Sequence, residues 1–157
     1  MNFLAFKLEQ IYHATPSGID NTIINYGGMI KFNKINGIEQ ITQNFLGKYF
    51  KTLLINTKIR KDTKTAVNMV RKLTSDEETR EFGVGIINDV GDITNEIIKI
   101  LEKKENNEQD VILFEVLIKK NQKHLESLNL SHPKIALLME YKYITYNFFL
   151  NIDSCLD

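Results

Sequence analysis

Five aliphatic residues at helical spacing are the feature that most limits how this chain can fold. They recur at intervals of four, three, four and four residues and are Ile86, Val90, Ile93, Ile97 and Leu101. This period places all five on one face of a long helix, which must be buried against a partner. Ser75 is predicted to cap the helix, with Glu77 and Glu78 in the first turn, where the helix dipole favours acids. Three glycines should each weaken it by about 1 kcal/mol relative to alanine, namely Gly83, Gly85 and Gly91.

Four further segments are predicted to be helical. Residues 1–13 have apolar side chains near helical spacing and no internal Gly or Pro. Asp62 is a candidate N-cap for a helix with an apolar face formed by Ala66, Val67, Val70 and Leu73. After a charged loop at 103–109, a helix is predicted from about 110 to 128, with its inward residues being Phe114, Leu117, Ile118 and Leu125. Ser131-His132-Pro133 is expected to start a last helix that runs to about Tyr146.

Strand signals are confined to the first third of the chain. Residues 29–33 alternate in polarity, and Asn36-Gly37 is a turn signal. The apolar run 52–57 predicts a buried strand, followed by a basic loop at 58–61. Because two or three strands precede four helices, the sequence predicts an α+β fold rather than an alternating α/β fold.

Composition excludes several function classes. The 157 residues are 43% apolar and carry no formal net charge, whereas nucleic acid and anionic membranes favour a basic surface. The single Cys155 allows no internal disulfide and suits a reducing compartment. No apolar run approaches the roughly 18 residues of a membrane span, and residues 1–6 do not resemble a secretory signal. We therefore expect one cytosolic domain.

The candidate site lies around a tight turn, Pro16-Ser17-Gly18, which leads from the first helix to Asp20-Asn21. In the simpler interpretation, Pro and Gly form the turn and Asp20 caps a helix. On spacing alone this explanation and a functional one are evenly balanced. The functional explanation is favoured by the residues that surround the turn, namely Glu9, His13, Ser17, Asp20 and the pair Gly27-Gly28.

These residues closely resemble the central motif of mevalonate kinases in the GHMP kinase superfamily. The motif reads Glu9-x-x-x-His13-x-x-Pro16-Ser17-Gly18-Ile19-Asp20-Asn21, followed by Tyr26-Gly27-Gly28. The resemblance covers about residues 2–135 and continues at 53–58, 62–64, 121–125 and 131–133. Galactokinases and homoserine kinases fit the motif less well. The fold implied is part of a GHMP kinase, with a few antiparallel strands and four to five helices.

The resemblance implies roles for individual residues. Asp20 would orient, and could deprotonate, the acceptor hydroxyl, and Glu9 would bind the Mg²⁺ that accompanies ATP. Thr63 would lie beside the substrate and Asp20, with His13 and Ser17 shaping the turn that binds the substrate. Glu9 can also be explained as a helix-surface residue and Thr63 as a first-turn residue. His124 and His132 are expected at the surface or at helix ends, and with His13 they form no metal signature.

The sequence contains no Gly-Leu-Gly-Ser-Ser-Ala run, the loop with which this superfamily binds the ATP phosphates. We expect that loop upstream of residue 1 and little or no kinase activity from this chain alone. The chain is thus expected to be truncated at both ends. Residues 1–60 would end an N-terminal kinase domain, 61–135 would be the helical part of a C-terminal domain, and 136–157 would be a divergent tail. Two alternatives are a non-catalytic protein-interaction module and another GHMP small-molecule kinase, and a homodimer is a further expectation.

Overall fold

The computed structural model of the chain describes residue 4 and residues 6–8, 18–33, 35–51, 53–59 and 63–140. It divides into two compact units, Met1–Gln43 and Asn44–Asp157. Helices dominate, and the described strands form one antiparallel pair. The fold is therefore α+β, as predicted, and it is compatible with part of a GHMP kinase.

The first unit contains helix α1 (Ile19–Tyr26) and a hairpin of strands β1 (Met29–Asn33) and β2 (Gly37–Ile41). The register pairs Met29 with Ile41 and Asn33 with Gly37. In the turn, the Asn33 side-chain oxygen accepts the N–H groups of Ile35 and Asn36 at 2.8 and 3.3 Å. The predicted strand at 29–33 and the predicted turn are confirmed, whereas β2 was missed. Leu4 and residues 6–8 are helical, and the rest of the predicted helix 1–13 lies outside the described residues.

The predicted buried strand at 52–57 is wrong in its described part. Residues 53–59 form no strand, and the side chains of Leu53 and Leu54 are 48% and 60% exposed. A strand needs a neighbour to pair its backbone groups. Among the described residues no strand pairs with this run, so its apolar composition alone does not make it a strand.

The second unit consists of helices α2 (Phe45–Tyr49), α3 (Thr63–Ser75), α4 (Arg80–Glu102), α5 (Glu108–Ser127) and α6 (Pro133–Glu140). The helices predicted to follow residue 62 are all present, although the continuation of α6 to Tyr146 and the capping residue Asp62 lie outside the described residues. The short helix α2 was not predicted.

The core of the second unit lies between α4 and α5, with α2 against α5. From the predicted apolar stripe of α4, Ile86, Ile93 and Leu101 are buried, and Val90 and Ile97 are half-buried. On α5, Phe114 and Leu117 are buried as predicted. The Phe114 ring centroid lies 5.3 Å from those of Phe45 and Phe50. Aromatic pairs at this separation are attractive beyond the area that they bury.

The connection between α3 and α4 differs from the prediction. Ser75 does not cap α4; it is the last residue of α3, and its hydroxyl donates to the Arg71 carbonyl at 2.8 Å. Thr79 precedes α4, and its hydroxyl donates to the Leu73 carbonyl at 3.1 Å. Ser and Thr hydroxyls often bond to carbonyls one turn back, and the Ser75 hydroxyl does so here instead of capping α4.

Gly83 permits a close approach of α3 and α4. A Cβ at this position would lie 2.7 Å from the carbonyl oxygen of Leu73, whereas one at Gly85 or Gly91 would meet nothing within 4 Å. The prediction that all three glycines simply weaken α4 is therefore incomplete, because one of them is required for packing.

The loop from α4 to α5 is fixed by a capping box. The Asn107 side chain accepts the Asp110 N–H, and the Asp110 carboxylate accepts the Asn107 N–H, both at 3.1 Å. This cap starts α5 at Glu108, two residues before the predicted start. Lys103 donates to Asp110 at 2.5 Å, and the Tyr49 hydroxyl donates to the Asn106 carbonyl at 2.7 Å. The hydrogen bonds from Lys103 and from the Asn107 backbone lower the pKa of the Asp110 carboxyl from its ordinary value.

Candidate functional site

The candidate site begins at Gly18, the residue before α1. Its φ of 76° is left-handed, a conformation that favours glycine. A Cβ there would also lie 3.2 Å from the ring of Phe6. The Gly18 carbonyl accepts two hydrogen bonds from Thr22, at 3.1 Å from the backbone N–H and at 2.7 Å from the buried hydroxyl. Gly18 is therefore held by its backbone conformation, by the nearby Phe6 ring and by the buried Thr22 side chain.

Asp20 is the second residue of α1 and is exposed. The unpaired N–H groups of a first helical turn favour a negative charge there. Because Gly18 and Thr22 fix the start of the helix, Asp20 occupies a defined position on the surface of the first unit. A carboxylate held in this way can accept a hydrogen bond from a bound hydroxyl.

The other end of α1 is formed by Gly27 and Gly28, as the motif suggested. Both have positive φ, at 68° and 71°, and the Gly27 N–H donates to the Ile23 carbonyl at 2.8 Å. These conformations, which only glycine adopts readily, turn the chain from α1 into β1. The two glycine turns thus delimit the helix that carries Asp20.

Three predicted site residues, Glu9, His13 and Ser17, lie outside the described residues. The proposed magnesium ligand and the proposed shaping of the turn therefore stay predictions. Thr63 is the first residue of α3 and is exposed. It belongs to the second unit, whereas Asp20 belongs to the first, and the closeness of Thr63 to Asp20 also stays a prediction.

Sequence reasoning missed a polar cluster that joins α4 and α5. His124 Nε2 lies 3.4 Å from an Asp89 carboxylate oxygen, and Lys120 Nζ lies 4.0 Å from the same oxygen. His124 was expected at the surface or at a helix end; it is in the last turn of α5, with its side chain only 16% exposed. The i, i+4 spacing of Lys120 and His124 indicates a shared helix face, but nothing local indicates that Asp89 faces them.

His132 is at a helix end, as expected. Its Nδ1 accepts the Lys134 N–H at 3.1 Å, immediately before α6. Within the described ranges, no three His, Cys, Asp or Glu side chains are grouped so that they could bind a metal ion. In the same part of the chain, no helix combines the length and the apolar character that crossing a membrane requires.

Comparison with known proteins identifies relatives along most of the sequence. Mevalonate kinase of Arabidopsis thaliana is 33% identical over 144 residues, which are 88% of this chain and 36% of that protein. Mevalonate kinase of Saccharomyces cerevisiae is 32% identical over 155 residues, covering 88% of this chain and 34% of that protein. Mevalonate kinase of Bos taurus is 28% identical over 144 residues, covering 89% of this chain and 34% of that protein.

No family model matches the chain, and no solved structure matches it. The sequence is nevertheless mevalonate kinase-like, and it spans about a third of the length of the curated relatives that it matches. The predicted resemblance is therefore confirmed, for a partial sequence.

Proposed function

We propose that this chain is the acceptor-binding part of a mevalonate kinase-like phosphotransferase, in which Asp20 orients the acceptor hydroxyl. The observation that carries the proposal is the position of Asp20, exposed in the first turn of a helix whose start is fixed by Gly18 and Thr22. The names of the relatives support mevalonate as the acceptor rather than a sugar or phosphomevalonate.

The chemistry suits a positioned carboxylate. An alcohol is a weak nucleophile, and a carboxylate within hydrogen-bond reach can align it and take its proton as the phosphoryl group moves. Phosphoryl transfer has a loose transition state, so alignment contributes more than base strength. An exposed carboxylate in the first turn of a helix whose start is fixed by Gly18 and Thr22 can supply such alignment.

We also propose ATP as the phosphoryl donor and Mg²⁺ as its metal ion; the names of the relatives support the first and the motif resemblance supports the second. Mg²⁺ is usually held by one or two carboxylates together with phosphate and water oxygens, and Glu9 is the proposed protein ligand. Thr63, His13 and Ser17 are proposed to contact the acceptor. Glu9 lies outside the described residues, and its role as the metal ligand rests on the motif resemblance.

We expect the 157-residue chain by itself to transfer phosphate slowly or not at all. The sequence contains no Gly-Leu-Gly-Ser-Ser-Ala run, and a series of backbone N–H groups at a helix start is what binds nucleotide phosphates. Calorimetry should accordingly detect no tight binding of Mg-ATP to this chain. Tight binding would show that it carries a nucleotide site of its own.

Substitution of Asp20 tests the catalytic role. In a longer protein that also carries the glycine-rich loop, Asp20→Asn should lower kcat for mevalonate by about 10²–10⁴-fold while KM changes little. Asp92→Asn, at an exposed position of α4, is the matched control and should retain full turnover. If Asp20→Asn turns over mevalonate at the rate of the unsubstituted protein, Asp20 has no catalytic role.

A further inference from the structure

Thr22 is a buried polar residue that packing alone does not explain. Two polar or charged residues are buried in the part of the chain that the structure describes, Thr22 at 7% exposure and Asp110 at 5%. The capping box and Lys103 account for Asp110. Burying a hydroxyl is unfavourable unless it is hydrogen-bonded, and a valine would fill the space of Thr22 without that cost. The hydroxyl of Thr22 therefore has a purpose other than filling the core.

We propose that Thr22 is a positioning residue for phosphoryl transfer, whose hydroxyl holds the start of α1 so that the Asp20 carboxylate is aligned with the acceptor. This inference rests on the proposed function, in which Asp20 orients the acceptor hydroxyl. The Thr22 hydroxyl donates to the Gly18 carbonyl at 2.7 Å, and the Thr22 backbone N–H donates to the same oxygen at 3.1 Å. Thr22 acts through these bonds and needs no contact with the acceptor.

The Gly18 carbonyl is the link between Thr22 and Asp20. A peptide unit is planar, so two donors on the Gly18 oxygen hold the whole peptide unit that joins Gly18 to Ile19. Asp20 follows one residue later, and rotation of that unit would move the Asp20 backbone with it. The hydrogen bond of a buried side chain thus controls where an exposed carboxylate lies.

Gly18 needs this restraint because of its own freedom. Glycine adopts positive and negative φ about equally readily, so the φ of 76° at Gly18 is not fixed by the residue itself. The nearby Phe6 ring limits the space around it, but apolar contact has no preferred direction, whereas a hydrogen bond does. Direction matters here, because a misplacement of about 1 Å in a catalytic group can cost about 10²-fold in rate.

Turnover of two Thr22 variants tests the role, in the same longer protein that tests Asp20. Thr22→Val keeps the volume and removes the hydroxyl, so kcat for mevalonate should fall about tenfold with little change in KM, the effect of one hydrogen bond. Thr22→Ser keeps the hydroxyl and removes a buried methyl group, so it should lower Tm yet keep the kcat of the unsubstituted protein. If kcat follows Tm rather than the presence of the hydroxyl, the proposal is wrong.

Asn25→Ala is the matched control within the same helix. The Asn25 side chain donates to the Asn21 carbonyl at 2.7 Å, with the same spacing of four residues, but this bond is exposed and lies at the far end of α1 from Asp20. Its removal should leave kcat unchanged. A tenfold loss in Asn25→Ala would show that turnover depends on the stability of α1 in general, and the specific role of Thr22 would be overturned.

A double variant separates positioning from a general structural role. Because the hydroxyl acts through the Asp20 carboxylate, Asp20→Asn combined with Thr22→Val should turn over no more slowly than Asp20→Asn alone. A further tenfold loss would overturn the proposal. If Asp20→Asn lowers kcat and Thr22→Val does not, the role of Thr22 alone is refuted. If Asp20→Asn keeps full turnover, the proposed function is refuted, and the role of Thr22 is refuted with it.

Hydrogen exchange tests the structural step in the 157-residue chain itself. The Thr22 amide donates to the Gly18 carbonyl, and its exchange, corrected for the intrinsic rate of the residue, should accelerate about tenfold in Thr22→Val. The same amide should keep its protection in Thr22→Ser and in Asn25→Ala. Unchanged exchange in Thr22→Val would show that the hydroxyl does not hold the Gly18 carbonyl.

Discussion

Each of the two units requires a glycine, Gly18 in the first and Gly83 in the second, but for different physical reasons. Gly18 is required by its own backbone, because φ is 76° and the Phe6 ring lies close. Gly83 has helical conformation and is required by its neighbour, because the Leu73 carbonyl oxygen would lie 2.7 Å from a Cβ. The first unit is thus defined by local backbone conformation and the second by contact between helices.

The largest loss of stability is expected when a side chain is added at Gly83, where α3 and α4 approach closely. Gly83→Ala should destabilise the protein by about 1–3 kcal/mol, because the new Cβ forces two backbones apart. This net cost already allows for the gain in helix propensity, about 1 kcal/mol for alanine relative to glycine. Thermal denaturation followed by circular dichroism measures the change.

Gly85→Ala and Gly91→Ala are the matched controls, since a Cβ at either position meets nothing within 4 Å. Both should raise Tm through helix propensity alone. If Gly83→Ala raises Tm as much as they do, then α3 and α4 do not pack as closely as described.

A smaller loss of stability is expected for substitution of Gly18 in the first unit. Gly18→Ala should cost about 1–2 kcal/mol because alanine is strained in the left-handed conformation. Hydrogen exchange of the α1 amides should accelerate, whereas amides of α4 and α5 should keep their protection. Gly37→Ala, where φ is also positive but no atom lies near the Cβ, isolates backbone strain. Equal effects at both positions would show that the Phe6 contact contributes nothing.

The smallest effect concerns charge rather than packing. The folded protein holds the pKa of Asp110 below its ordinary value, so the carboxylate stabilises the fold above the unfolded pKa of about 3.9. That contribution should be lost as pH falls from there through the folded pKa. Urea denaturation at several pH values should show that the free energy of unfolding falls less steeply in acid for Asp110→Asn than for the unsubstituted protein. An unchanged slope would exclude this carboxylate as a source of the dependence.

The parts of the fold that sequence could predict are those whose pattern is local. The stripe from Ile86 to Leu101 fixes α4, and the alternation at 29–33 fixes β1. The partner strand β2 was missed because Gly37 and Glu39 have low strand propensity and, among the described residues, the segment pairs only with β1. The run at 53–57 was over-interpreted for the converse reason, since its composition is strand-like but no described strand pairs with it.

In the candidate site, too, local features could be predicted from the sequence and features set by packing between elements could not. The motif correctly indicated the glycines at both ends of α1 and the position of Asp20 at its start, because each depends on neighbours in sequence. The cluster of Asp89, Lys120 and His124 was not predictable, since it depends on the register between α4 and α5. That register is set by the burial of side chains on both helices rather than by a local signal.

The contacts of α2 have a consequence for the order of folding. The Phe45 ring packs against Phe114, which lies 69 residues later in the sequence, and the Tyr49–Asn106 hydrogen bond spans 57 residues. Closing chain segments of this length costs entropy that grows as the logarithm of their length, whereas the hairpins α3–α4 and α4–α5 join helices that are adjacent in sequence. We therefore expect the three long helices to associate first and α2 to join them afterwards.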